Sequence, residues 1–544
     1  MYLCKLYIKS AKKKNRIFPV TLRKKIIMIL IGNRKLTVGD FFKILFEGEK
    51  VDIDIESRRK VEEDFEFLRE FAKGKVIYGI NTGLGPMAQF KINNNRELEL
   101  QYNLIRSHAA GCGAPLPDIY AKATMLARVN TLVQAKSGIH PEVVELLKEM
   151  INKDVNPYIP EHGGVGASGD LVQLAHLALN LIGEGEVLYQ GAIRPAAEVF
   201  KEVGLTPIKM HIREGLGLIN GTSAMTGIGM INAIHARNLL DWSTIASSMI
   251  TEIVESYDDH FSDGLNRAKS HHGQRQVART MKYILKDSQL IRRRADHLYN
   301  NDKTVEVEVF KHKVQEYYSL RCVPQVLGPV MDTILYATHV LMNEVNSTSD
   351  NPIIDGEHHN VYHGGNFHGD YVALEMDKLK IAITKLSMLA ERQLNYLMNP
   401  KLNEKLPPFV NLGKLGLNLG MQGVQFTAVS TVAENQTLSF PMYLHSITNN
   451  NDNQDIVSMG TNAALMTKKV IDNSYQVLAI EMIAILQAID FLEIKERLSS
   501  YSLSKYEDLR KIVPKFTEDT VKYKDIQNIE QYIMENKPQF AVEE

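Results

Sequence analysis

Residues 161–170 read Glu161-His162-Gly163-Gly164-Val165-Gly166-Ala167-Ser168-Gly169-Asp170, and two readings of them lead to incompatible architectures. Gly164, Gly166 and Gly169 satisfy G-x-G-x-x-G, and Glu184 lies near the distance expected of a ribose-binding acid. A dinucleotide loop needs a hydrophobic strand immediately before its first glycine, inside a parallel α/β sheet. Here the preceding residues are Asn152-Lys153-Asp154-Val155-Asn156-Pro157-Tyr158-Ile159-Pro160, polar and twice interrupted by proline. A P-loop lysine is absent as well. The nucleotide reading fails, and the parallel-sheet fold fails with it.

Outward from the loop, the chain divides by hydrophobic period. Residues 78–115 and 157–170 are rich in Gly, Pro and Asn and are expected as loops. The runs 222–257, 325–346, 371–398 and 463–492 lack an internal proline or strong break, apart from Gly227, Gly229, Gly328 and Pro329 early in their runs. Within 371–398, Leu374, Leu379, Ile383, Leu386, Leu389, Ala390, Leu394 and Leu397 recur at helical spacing. Such helices exceed the globular mean of about 11–12 residues. Several of them, apolar on more than one face, predict a mainly α fold: a large bundle of long helices with a smaller, loop-rich N-terminal region. Short strands are expected near 75–80 and 186–192, and no long-period repeat is visible. The expected division is a basic extension at 1–30, an N-terminal region at 31–221 and a helical region at 222–544.

Of 544 residues, 44% are hydrophobic and 23% charged, which excludes a disordered or collagen-like chain. Lys and Arg number 63 against 64 Asp and Glu, a net charge of −1, so no global field exists to hold nucleic acid or an anionic membrane. Ile26-Ile27-Met28-Ile29-Leu30-Ile31 is the longest candidate membrane span and falls far short of the roughly 20 apolar residues required. Cys4, Cys112 and Cys322 form no C-x-x-C pair, which fits a reducing, cytoplasmic setting rather than a disulfide framework or a cysteine zinc site. His271-His272 and His358-His359 are adjacent pairs whose side chains diverge, no H-E-x-x-H exists, and no metal is expected. From Met1 to Lys35 there are eleven Lys or Arg and no acid. That block is too weakly apolar for a secretory signal and lacks an A-x-A-like cleavage site. It is expected to be a disordered or dispensable extension, with Met28 as a candidate start.

The second reading of the glycine-rich stretch is chemical. Ala167-Ser168-Gly169 joins the smallest side chain, a serine able to lose water and a residue without Cβ. A tight bend, permitted by flanking glycines, brings the Gly169 nitrogen to the Ala167 carbonyl carbon. Cyclisation and loss of water from Ser168 then leave an exocyclic methylene, a strong electrophile made from the chain itself. In isolation the tripeptide reads more simply, as a serine capping a helix that starts at Asp170-Leu171-Val172. Context decides between the two. The chain carries, in order, Tyr78-Gly79-Ile80-Asn81-Thr82-Gly83-Leu84-Gly85, residues 163–170, Leu218-Ile219-Asn220-Gly221-Thr222, Tyr318-Ser319-Leu320-Arg321-Cys322, Ser349-Asp350-Asn351-Pro352 and Gly364-Gly365-Asn366-Phe367-His368. With these motifs it resembles, from Ile31 to its carboxyl terminus, the aromatic amino acid ammonia-lyases. Members of that family carry a 4-methylideneimidazol-5-one (MIO) group made from Ala-Ser-Gly, on the fumarase/aspartase-like helical architecture. Leu84 stands where the family usually has Phe, an apolar exchange that touches no catalytic group.

The resemblance implies loss of ammonia from an α-amino acid to give an aryl acrylic acid, and it implies roles. The electrophile at Ala167-Ser168-Gly169 takes the substrate amine, with no external cofactor. Tyr78 removes the β-proton, a role in which a phenol, with an ordinary pKa of about 10, acts as phenolate. Without the family match, Tyr78 reads as a tyrosine packed beside a glycine loop. Arg321 binds the substrate carboxylate through its planar fork, and its neighbours Leu320 and Cys322 predict burial. Tyr318 and Asn220 line the cofactor and polarise its carbonyl. Gln315 and Gln454 contact substrate or cofactor, and Phe367 walls the ring.

Selectivity in the family is set largely by the pair corresponding to Ser107-His108. A buried unpaired imidazole costs about 1–3 kcal/mol, so His108 suits a substrate with its own hydrogen-bonding group and disfavours phenylalanine. Ser107-His108 and Glu434, in Ala433-Glu434-Asn435, also resemble histidine ammonia-lyases. Those enzymes usually read Asp-Pro-Tyr-Ser-Leu-Arg and Asn-Gln-Glu-Asp-His-Val where this chain has Glu316-Tyr317-Tyr318-Ser319-Leu320-Arg321 and Asn453-Gln454-Asp455-Ile456-Val457. Residues 362–374 and 449–460 look most like bacterial tyrosine ammonia-lyases. L-Tyrosine to p-coumarate is therefore expected. L-Histidine to urocanate is the alternative, followed by a tyrosine aminomutase, which returns ammonia to the β-carbon. An inactive helical scaffold is disfavoured by the intact tripeptide, Tyr78 and Arg321. The family is tetrameric with shared active sites, so a homotetramer is expected, with Tyr78 and Arg321 reaching one pocket from different subunits.

Overall fold

The computed structural model describes residues 28–299 and 313–541, so residues 1–27 of the extension expected at 1–30 lie outside the described residues, while its last residues are ordered, Ile29 and Leu30 opening the strand Ile29–Ile31. Two compact units emerge. The first holds the chain up to Ile231 with Thr338–Met376 and Pro441–Leu465; the second holds Asn232–Ala337, Asp377–Phe440 and the chain from Met466. This differs from the division expected at 221/222, because two later segments join the first unit.

Four long helices match the expected runs within a few residues: Ser223–Ile253, Val323–Val345, Asp370–Met398 and Gly460–Leu492. Four of the five unit boundaries fall inside these helices, and the fifth lies between Phe440 and Pro441. Along Asp370–Met398 the stripe from Leu379 to Leu397 is at most 5% exposed, whereas Leu374 is 42% exposed. Gly460–Leu492 is long and apolar enough to cross a membrane, which corrects the ranking of 26–31 as the longest such candidate. It packs as a core helix, with 78% of its most apolar window buried.

Strands among the described residues are short and all lie in the first unit. Glu186–Tyr189 pairs antiparallel with Ala192–Pro195, as expected near 186–192. The strand expected at 75–80 is a turn instead. Asn81 closes it: its Oδ1 accepts from the Ile77 N–H (3.0 Å) and its Nδ2 donates to the Lys75 carbonyl (2.7 Å). Gly79 supplies the left-handed φ of 75° that the turn requires.

Both expected loop regions contain regular structure. Within 157–170, Pro160–His162 pairs with Cys112–Pro115. Within 78–115 runs the helix Glu97–His108, whose buried stripe is Gln101, Leu104 and Ile105. Gln101 joins three segments, donating to the Gly79 carbonyl (3.1 Å) and accepting from the Leu216 N–H (3.3 Å). Leu216 belongs to the short helix Glu214–Ile219, which delivers Asn220 and Gly221.

Candidate active site

The glycine-rich loop leaves strand Pro160–His162 and enters helix Leu171–Leu181, where Asp170 rather than Ser168 occupies the N-cap position. The simple capping role of Ser168 therefore fails. Gly166 and Gly169 take left-handed φ values of 75° and 71°. Neither has room for a side chain. A Cβ on Gly169 would lie 1.9 Å from the Gly221 carbonyl oxygen, and one on Gly166 would lie 2.1 Å from Ser458 Oγ.

Hydrogen bonds fasten the loop on both flanks. The Gly166 carbonyl accepts from the Ser458 hydroxyl (3.0 Å) and the Gly369 N–H (3.1 Å). The Met459 N–H donates to the Val165 carbonyl (2.9 Å), and the Asp170 N–H donates to the Gly221 carbonyl (2.7 Å). Ala167 is buried against Val457 and Met459. Asp170 extends the clamp: its carboxylate accepts from the Ala224 and Met225 N–H groups (2.8 Å each) and the Thr461 hydroxyl (2.5 Å). Complete burial pushes its pKa up to about 6 against the pull of those hydrogen bonds. Behind Gly221, the buried Arg128 donates to the Gly217 carbonyl, and Arg213 pairs with Asp350 (2.9 Å) with both side chains fully buried.

Ser168 opens onto a cavity of about 630 Å³. Its Oγ accepts from Gln454 Nε2 (2.8 Å), and its carbonyl accepts from Asn220 Nδ2 (3.1 Å). A cramped Gly169 and an amide donor on the Ser168 carbonyl are what an MIO ring at 167–169 requires, so these residues fit the group. Across the cavity lining, the Gly85 N–H donates to the Tyr78 phenolic oxygen (3.0 Å). Ser107 and His108 end the helix Glu97–His108. The Leu104 carbonyl lies 2.9 Å from His108 Nδ1 and can only accept, so in the neutral ring Nδ1 carries the proton and Nε2 is the acceptor. Ser107 Oγ lies 3.1 Å from the same Nδ1. Leu84, Met87, Phe90, Leu171, Leu216 and Phe367 give the cavity apolar walls. Among the described residues lining it, none is Lys, Arg, Asp or Glu.

The expected site residues thus fall into two groups. Tyr78, Ser107, His108, Ser168, Asn220, Phe367 and Gln454 line one cavity in the first unit. Gln315, Tyr318, Arg321 and Glu434 belong to the second unit and line none of it. Tyr318 is 71% exposed, and the Arg321 guanidinium lies 4.6 Å over its ring while donating to Gln315 Oε1. Leu320 is buried as expected, but Arg321 is only half-buried, which corrects the inference from its neighbours. Glu434 accepts from Asn473 Nδ2 (2.6 Å) and faces Lys469 Nζ at 3.7 Å. Glu184, the decoy ribose acid, is ion-paired with Arg106 (2.6 Å). Sequence reasoning missed Asn103, Asn450 and Asn453 on the cavity lining. The run Asn449-Asn450-Asn451-Asp452-Asn453 held a signal: Asn450, Asn451 and Asp452 all adopt positive φ, which Asn and Asp tolerate best after glycine.

Comparison with known proteins agrees with this geometry. The family model for aromatic amino acid lyases matches residues 36–511. Over 451 residues the chain is 42% identical to tyrosine 2,3-aminomutase of Myxococcus sp. (strain Mx-B0), spanning 81% of this chain and 85% of that one. Over 507 residues it is 39% identical to histidine ammonia-lyase of Bacillus cytotoxicus, spanning 93% and 97%. The crystal structure of tyrosine aminomutase from Streptomyces globisporus is similar with a TM-score of 0.90 at 36% identity, covering 93% of this chain and 97% of that one. The chain belongs to the aromatic amino acid lyase family.

Proposed function

We propose that this chain is a tyrosine ammonia-lyase, converting L-tyrosine to p-coumarate and ammonia through an MIO group formed from Ala167, Ser168 and Gly169. His108 carries the substrate choice: its Nδ1 proton is committed to the Leu104 carbonyl, so Nε2 is left to accept from a phenol O–H. An apolar ring end such as that of phenylalanine leaves that nitrogen unpaired, at a cost of about 1–3 kcal/mol. Once formed, the MIO group supplies an electrophile for the substrate amine, which makes nitrogen a leaving group. Asn220 and Gln454 hold the Ser168 position. Tyr78 takes the β-proton, with the Gly85 N–H placed to stabilise negative charge on its oxygen. Phe367 and the leucine walls exclude water from the aromatic ring.

Among the described residues the lining offers the substrate carboxylate no cation, while Arg321 stands half-buried beside Gln315. This supports a homotetramer in which Arg321 of another copy completes each pocket. The widely spaced cysteines support a cytoplasmic setting. A second reading, tyrosine 2,3-aminomutase, is favoured by the Myxococcus relative at 42% identity.

The test offers purified protein L-tyrosine, L-histidine and L-phenylalanine separately and follows conjugated-acid absorbance, ammonia and β-amino acid. p-Coumarate with equimolar ammonia is expected from tyrosine, and His108→Leu should shift preference toward phenylalanine. Urocanate would overturn the substrate, and β-tyrosine without net ammonia would establish the mutase.

A further inference from the structure

Away from this cavity, the first unit gathers a second set of donors. His140 is the N-cap of helix Pro141–Asn152, Glu142 lies in its first turn, and His211 sits just before helix Glu214–Ile219. One ligand atom from each of the three lies within 4.8 Å of the other two. The two imidazoles stack with centroids 4.6 Å apart and planes 28° apart. Phe65 stands edge-on to both rings, at 5.2 and 5.3 Å, and walls one side. A single buried carboxylate holds both histidine backbones: Glu214 accepts from the His140 N–H (2.8 Å) and the His211 N–H (2.6 Å). The Glu142 side chain is 63% exposed and leaves the outer side open to water.

We propose that His140, Glu142 and His211 bind a divalent transition-metal ion of the zinc class, with water in the remaining position. Two imidazoles and one carboxylate form a borderline donor set that suits Zn2+; Mg2+ and Ca2+ prefer all-oxygen shells. Tetrahedral ligation at about 2.0–2.2 Å sets donor atoms roughly 3.3 Å apart, so the Glu142 carboxylate, 3.8 Å from His140 Nδ1, has only a short way to close, a movement open to an exposed side chain. The two imidazoles must also turn out of their stack so that one nitrogen of each points at the ion, because ligation places the metal in the plane of each ring; Glu214 keeps their backbones side by side while they turn. The bound ion fastens the segment preceding Glu214–Ile219, the helix that delivers Asn220, to the first turn of Pro141–Asn152. The site stands on its own donors and is independent of which substrate the cavity takes.

Tag-free protein, stripped with a chelator and desalted, is titrated with ZnCl2 against a chromophoric zinc indicator while Tm is followed in parallel. One tight equivalent of Zn2+ per chain and a raised Tm are expected, with neither produced by MgCl2. Glu142→Gln, an exposed exchange that spares the fold, should weaken that equivalent about tenfold or more, and His211→Ala should remove it. His358→Ala, in the exposed cluster with Asp355 and Glu357, should leave it intact. Absence of a tight equivalent in the wild type overturns the proposal. So does unchanged zinc affinity in Glu142→Gln and His140→Ala.

Discussion

Ser168 is gripped at both ends by residues remote in sequence: its hydroxyl by Gln454, 286 positions on, and its carbonyl by Asn220, 52 positions on. Replacing Ser168 with alanine removes one neutral hydrogen bond, worth about 1 kcal/mol, and leaves the backbone clamp of Gly166, Asp170 and Gly221 in place. Ser168→Ala is therefore expected to fold normally by circular dichroism and to lose nearly all ammonia release, because no hydroxyl remains to be eliminated. Turnover at the wild-type rate would refute the electrophile. Tyr78, Ser107, His108, Ser168, Asn220, Phe367 and Gln454 were singled out because each stands in a short motif, whereas Asn103, Asn450 and Asn453 were not. The clamp was not legible, since nothing in the local sequence of Gly166 announces Ser458. The His140–His211 pair was illegible for the same reason. Adjacent histidines drew attention, whereas the pair that stacks comes from separate loops.

The long helices were readable because their apolar residues repeat at helical spacing, and burial follows that repeat from Leu379 to Leu397. Glu97–His108 escaped because its buried stripe opens with a polar residue, Gln101, whose amide satisfies backbone groups on two other segments. The turn at Tyr78 was misread as a strand because Val76, Ile77 and Ile80 look β-forming, while Asn81 and Gly79 decide the geometry. Buried acids also act at this scale. Asp64, on helix Ile55–Phe71, accepts from the Gly138 N–H (2.7 Å) and has its pKa pushed up to about 7 by burial. The native pKa lies above the ordinary 3.8, so the stability Asp64 contributes is complete below pH 3.8 and is lost as pH rises through about 7. The loss is on the order of 1 kcal/mol per pH unit inside that window. Asp64→Asn should therefore show a smaller drop in Tm than the wild type between pH 5 and pH 8. Parallel Tm profiles would exclude Asp64 as the source.

As a whole molecule, the chain offers two surfaces that ask for company: a cavity with no cation among its described lining residues, and Arg321, which stands outside that described lining. The second unit also exposes Leu417, Phe426 and Phe440 at 71%, 65% and 62%, large apolar area of the kind that marks contacts between chains. If Arg321 serves another copy, Arg321→Ala and Ser168→Ala are each inactive alone, yet their co-expression restores part of the ammonia release. Recovery is expected; its absence would assign Arg321 and Ser168 to the same chain's site. The clamp on the glycine-rich loop has a further consequence, in time rather than space. Gly369, Gln454 and Ser458 are synthesised long after Ala167-Ser168-Gly169 has left the ribosome, the last of them 292 residues after Gly166. A nascent chain short of residue 458 lacks the Ser458 side of that clamp even with the Asn220–Gly221 side in place. If the ring forms as proposed, its closure is expected to wait for translation to pass residue 458, which would keep a reactive methylene off unfinished protein.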